Sequence, residues 1–161
     1  MTANSYATLI RFKQWADLGL HGAIAESFDR LDAMDQMIVP LVLDHFHVVD
    51  RIFQHHLQGL PHGFHGPRSE VTPSLAQLAE DTRRVDAWYV DYVDSLAASA
   101  FDEPLNFVFT SGKPARMTRG EIILHVCLHG TYHRGNVGIL LQKCGAPSYP
   151  DGVTDFLAAA A

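Results

Sequence analysis

Residues 118–145 read TRGEIILHVCLHGTYHRGNVGILLQKCG, and both ends of this stretch carry helix punctuation. Thr118 followed three residues later by Glu121 is a capping box, in which each side chain satisfies a backbone N–H of the first turn. Gly145 and Pro147 close the segment, glycine by tolerating a left-handed turn and proline by being unable to continue a helix. The helix predicted from 118 to 144 carries His125, His129 and His133 at four-residue intervals, so successive members share a face. Ten histidines in 161 residues make such pairs common by chance. Spacing alone does not make a site.

Three more segments upstream have helical periodicity. Residues 4–28 place Leu9, Phe12, Trp15, Ala16 and Leu20 on one face, and residues 36–58 hold Pro40 in the first turn, where a missing N–H is tolerated, with Gly59 and Pro61 ending the run. The third runs from Thr72-Pro73, a cap followed by proline, to about Ala98. Four long helices predict an all-α four-helix bundle forming a single domain over residues 1–161. A short hairpin before the last helix is expected from NFVFTSGKPARMT, residues 106–118, whose apolar residues flank a Ser-Gly turn. The loop GLPHGFHGPRSEV, residues 59–71, is a connector able to cover one end of the bundle, and the terminal AAAA is expected to fray.

With 47% hydrophobic and 19% charged residues, the chain can bury a sizeable core. Its net charge of -6, with no lysine-arginine cluster, argues against nucleic-acid binding. The absence of a signal-like N-terminus or a long apolar run leads to the expectation of a cytoplasmic protein outside the membrane. The two cysteines, Cys127 and Cys144, fall in one predicted helix too far apart to bridge, so reduced core thiols are expected.

At about 100° per residue, the last helix puts His129 and His133 in an apolar stripe with Ile122, Val126, Leu140, Leu141 and Cys144. His125 lies at the edge of that stripe, near Tyr132 and Asn136. In the second helix the same projection turns His45 inward with Leu41, Val42 and Val49, and turns His47 outward. Asp44 and Asp50 are expected to point away from His45. His21, His47, His55, His62 and His65 are expected at the surface or in loops, and His56 in a different layer from His45. Buried imidazoles need partners for both ring nitrogens, which a divalent cation or ordinary backbone and side-chain acceptors can supply. A second apolar group on the last helix, Leu128, Tyr132, Gly135 and Ile139, predicts either central burial or a homodimer interface.

LHVCLHGTYHRGNVGILLQKCG, residues 124–145, resembles the last-helix signature of the DinB/YfiT-like superfamily of metal-dependent bacterial proteins, a helical HxxxH followed by Arg-Gly. LIRFKQWAD (9–17) is similar to its first-helix element, LDHFHVVDRIF (43–53) to the segment with its first histidine ligand, and FTSGKPARMTRGEIILH (109–125) to the turn into the last helix. Tyr132 departs from the pattern, standing where many relatives carry another histidine. The resemblance implies an up-down-down-up bundle, commonly dimeric, with one divalent ion held by His45, His129 and His133.

Three imidazoles without a protein anion would leave such an ion its full charge and an open position, as in catalytic zinc sites. Zinc or nickel is expected, and iron or another transition metal suits the same ligands. The resemblance implies a thiol-dependent S-transferase-like activity joining a small-molecule thiol to an electrophilic substrate, with His125, Tyr132 and Asn136 as candidate catalytic residues that orient it. The alternatives are a metal-dependent hydrolase and a non-enzymatic metal-binding stress-response protein.

Overall fold

The computed structural model describes residues 1–159, which are mostly helical with one small two-stranded sheet. Four long helices, α1 (Ala3–Ser27), α2 (Ala33–Gln58), α3 (Leu75–Ser95) and α4 (Arg119–Lys143), are joined by a hairpin, β1 (Pro104–Val108) and β2 (Pro114–Thr118), between α3 and α4. Each long helix starts on a side-chain cap: Thr2, Asp32, Ser74 and Thr118 accept from the backbone N–H three residues on. The capping box of Thr118 and Glu121 is present with both of its hydrogen bonds. Gly59 ends α2 at φ 68, the left-handed conformation its position requires.

Boundaries differ from the sequence expectation where a better cap lay nearby. The third helix starts after Ser74 instead of at Thr72-Pro73, and the second starts three residues earlier than expected because Asp32 caps it. The hairpin is antiparallel and pairs Leu105 with Met117 and Phe107 with Ala115; Gly112 makes its turn at φ 81. Val153–Ala159 form a short helix, α5, that was not expected, and its Phe156 packs on Phe12 and Trp15; of the terminal AAAA expected to fray, Ala158 and Ala159 belong to this helix and Ala160 and Ala161 lie outside the described residues.

α1 packs on α3 and α4, and α2 packs on the same two. The interior has two apolar layers. One gathers Tyr6, Ile10, Phe53, Tyr89, Phe101, Ile122 and Val126; the other gathers Leu20, Ile24, Leu43, Phe46, Leu78, Val137 and Leu141.

Between the apolar layers lies a buried charged layer. Lys13, fully buried, places Nζ 2.7 Å from Asp17, 2.6 Å from Asp86 and 2.8 Å from Asp50, the last outside hydrogen-bonding direction. Arg134, also fully buried, donates to Asp17 at 2.8 Å and to Asp151 at 3.0 Å. Burial pushes the Asp50 carboxyl up to about 6 despite Lys13, because desolvation of a carboxylate outweighs one nearby cation. The layer joins all four long helices and the C-terminal segment. No helix among the described residues is long and apolar enough to cross a membrane.

Candidate metal centre

α2 and α4 place three histidines in the groove between them. His45 comes from α2, and His129 and His133 stand one turn apart on α4, with ring centroids 4.5–5.1 Å apart. One ring nitrogen of each lies within 4.8 Å of the other two, close enough to hold one metal ion. His129 Nε2 and His133 Nε2 are 3.2 Å apart. Two imidazoles bound at about 2.0–2.1 Å to one tetrahedral zinc stand roughly 3.3 Å apart at nitrogen, so the spacing fits a shared cation.

The tautomer of His45 is set by its surroundings. Its Nδ1 lies 2.8 Å from the Pro67 carbonyl oxygen, which can only accept, so Nδ1 carries the proton and Nε2 presents a lone pair. The loop that supplies Pro67 is tied down next door: Asp44 accepts from Ser69 Oγ at 2.7 Å and from Ser69 N at 2.9 Å. Adjacent residues of α2 thus pin the loop 59–71, read from the sequence as a connector able to cover one end of the bundle, beside the site. The Nδ1 atoms of His129 and His133 are buried and take no partner among the described residues.

Burial, and after it the proximity of His133 and His45, pushes His129 down to about 3. Burial also lowers His133, with His45 and Arg68 adding to the effect. Both rings are therefore neutral at physiological pH, the state that a ligand nitrogen requires.

Two orientations differ from the helical-wheel expectation. His129 and His133 do not sit in the core seam of α4; they are half-buried at its edge, and the seam carries Gly130, Arg134 and Val137. On α2 the seam runs through Val39, Leu43, Phe46, Asp50, Phe53 and Leu57, which leaves His45 on the flank facing α4 and puts His47 on the opposite flank, buried. His47 is not outward: burial pushes it down to about 4, against the upward pull of Asp81 on α3. The projection failed because it took the inward stripe of α2 to be centred on His45, whereas Asp50 belongs to the interior as the partner of Lys13.

Of the candidate orienting residues, His125 is half-buried, stacked 5.4 Å from His129 and tilted against Phe53 at 4.7 Å. Tyr132 is 65% exposed, with its ring edge-on to His133 at 5.0 Å, and Asn136 is half-buried one turn from Tyr132. The second apolar group of α4 is not centrally buried: Leu128, Tyr132, Gly135 and Ile139 are all exposed.

The remaining histidines divide. His65 is exposed as expected, and His55 donates its Nδ1–H to the Arg51 carbonyl at 2.7 Å. His21 and His55 are half-buried on their helices, contrary to the surface expectation, His21 with an unpartnered Nε2; His62 lies in the loop as expected, half-buried with an unpartnered Nδ1. His56 lies in another layer, stacked 4.3 Å from Phe107. Arg134, the Arg that follows His133 in the sequence motif, went unread as a buried ion-pair residue. So did Lys13 and Asp17, whose i, i+4 spacing within an aromatic helix was their only signal.

A helical protein with an inter-helical trio of imidazoles this close together is compatible with binding a metal ion. Residues 1–160 match the DinB family, and the chain belongs to it. Protein DinB of Bacillus subtilis (strain 168) is 39% identical over 49 residues, a stretch covering 30% of this chain and 28% of that protein. No solved structure matches the chain.

Proposed function

We propose that this chain is a divalent-metal-dependent enzyme, one helical domain in which His45, His129 and His133 hold one zinc or nickel ion and which transfers a small-molecule thiol to an electrophile. The observation that carries this reading is the convergence of three imidazole nitrogens within 4.8 Å, with no carboxylate among them. Supporting an up-down-down-up bundle are the cross-helix pairs. Arg11 meets Asp94 across α1 and α3, Lys143 meets Asp35 across α4 and α2, and Tyr6 meets Gly120 where α1 and α4 both begin.

An ion held by these residues supplies a Lewis acid that lowers the pKa of a thiol or water coordinated to it. The protein contributes orientation. His125, stacked beside His129, offers a ring nitrogen and a flat face to a substrate, while Phe53 closes the wall behind it against water. Tyr132 and Asn136 bring a phenol and an amide to the α4 side of the groove.

Hydrolysis by the same site requires a positioned general base. Asp44 is committed to Ser69 and Asp50 faces Lys13, so neither acid serves, which favours the thiol reading. Metal-loaded protein is to be screened with low-molecular-weight thiols against chlorodinitrobenzene, and without thiol against nitrophenyl esters. Turnover that requires thiol and disappears in His129→Ala supports the reading; ester hydrolysis without thiol supports the hydrolase; metal binding without either turnover leaves a non-enzymatic binder.

The exposed Leu128, Tyr132 and Ile139, each at least 60% exposed, line one face of α4, and a second copy is the occupant that suits a self-complementary apolar face. Light scattering is expected to give twice the chain mass and Ile139→Glu the single mass; a monomeric wild type at micromolar concentration removes the homodimer. Free Cys127 and Cys144 suit a reducing, cytoplasmic setting.

A further inference from the structure

A cavity of about 680 Å³ opens between α1 and α3, the helix pair that does not carry the histidine trio. Its upper walls are apolar: Trp15, Leu18 and Val90, with Phe156 of α5 closing one side. Beneath them lie Asp17, Thr82 and Asp86, exposed by only 1%, 1% and 2%. Thr82 Oγ1 is buried and has no hydrogen-bond partner among the described residues, and the same holds for Nε2 of His21, which also lines the cavity. A hydroxyl in a helix ordinarily bonds to a backbone carbonyl one turn back, so an unpartnered one beneath a cavity marks a place where a ligand can complete the bonding.

The sign of the ligand follows from charge. At the rim, Arg11 is paired with Asp94 and Arg83 with Glu80, so these arginines are already satisfied. Within the floor network, two cations, Lys13 and Arg134, face four carboxylates, Asp17, Asp50, Asp86 and Asp151. Asp17 uses both oxygens, on Lys13 and Arg134, whereas Asp86 is bonded through Oδ1 only. A carboxylate surplus under apolar walls disfavours an anion and favours a cation with an apolar body. The volume falls within the range of small-ligand sites.

From this geometry we infer a second ligand site between α1 and α3, which takes a small amine with its ammonium over Asp86 and Thr82 and its apolar body against Trp15, Val90 and Phe156. The site is separate from the metal centre and does not depend on the metal reading. Burial holds Asp86 well above the usual carboxylate range, so an incoming ammonium displaces a proton there.

Calorimetric titration of the full chain with 2-phenylethylammonium, 2-phenylethanol and 3-phenylpropanoate tests this. The amine is expected to bind saturably, one per chain, at least about tenfold more tightly than the alcohol, with no binding of the carboxylate. Ala79→Trp, which fills the cavity from its wall without touching the buried network, is expected to abolish amine binding while circular dichroism stays unchanged. Asp86→Asn is expected to weaken it about tenfold, and His129→Ala to leave it intact. Equal binding of alcohol and amine, unchanged binding in Ala79→Trp, or no saturable binding overturns the site. So does a change of molecular mass in Ala79→Trp when the wild-type chain binds no amine, which would make the groove a contact between copies of the chain.

Discussion

His45 and His47 stand two residues apart on one helix and have opposite fates: one faces the metal-compatible groove and the other is buried toward α3. His47 can be buried because its surroundings suppress the charge and leave a neutral imidazole. His56 gives the simplest check of that suppression, since it lies outside the trio. Burial, followed by the proximity of His62 and His55, pushes it down to about 4. Its folded pKa is below the unfolded value of about 6.5, so the unfolded chain binds more protons between those values. Its contribution to stability is complete above about pH 6.5 and is lost as pH falls toward about 4, a small effect for a ring this exposed. Proton NMR titration is expected to place the His56 midpoint near 4; a midpoint at 6.5 or above contradicts the burial argument. At this scale the three residues that the structure brings together were named in the sequence through the family resemblance, since spacing alone does not choose His45 among the four histidines of the second helix. Which flank each ring occupies was not legible, because that depends on Asp50 and Arg134 being interior, and charged residues are read from sequence as surface.

Among the elements, α4 was the most legible. Its expected span of 118–144 differs from the observed Arg119–Lys143 by a residue at each end, because Thr118, Glu121 and Gly145 are local signals that act through backbone hydrogen bonds. The second and third helices were read less accurately at their starts, where Asp32 and Ser74 were the effective caps. α5 was missed altogether, since seven residues are too few to show periodicity and its helix is held by Phe156 docking on Phe12 and Trp15. The cap of α4 matters beyond local stability, because that helix carries two members of the trio. Thr118→Ala is expected to cost about 1 kcal/mol by urea denaturation, with the far-ultraviolet spectrum unchanged. No change in midpoint would mean that the hairpin, not the cap, holds the start of α4.

At the scale of the whole molecule, the buried charged layer ties together what the apolar layers alone would leave free to slide. Lys13 reaches carboxylates on α1, α2 and α3, and Arg134 links α4 to α1 and to the C-terminal segment. Removing the central cation leaves Asp50 and Asp86 without a partner in the interior while Asp17 keeps Arg134, so Lys13→Met is expected to destabilise the fold by about 3–5 kcal/mol at neutral pH, measured by chemical denaturation. A loss under about 1 kcal/mol would show the layer to be dispensable. The one signal of this layer in the sequence was the i, i+4 spacing of Lys13 and Asp17; its other members come from distant parts of the chain and meet only once the helices pack. The central claim is that this fold presents His45, His129 and His133 to one ion. The direct measurement is metal content by mass spectrometry on untagged protein after incubation with zinc or nickel, alongside His45→Ala, His129→Ala and His133→Ala. About one ion per chain, lost in each variant while helicity persists, is the predicted result. Wild-type protein that retains no metal, or variants that retain it undiminished, would contradict the claim and return the trio to ordinary groove histidines.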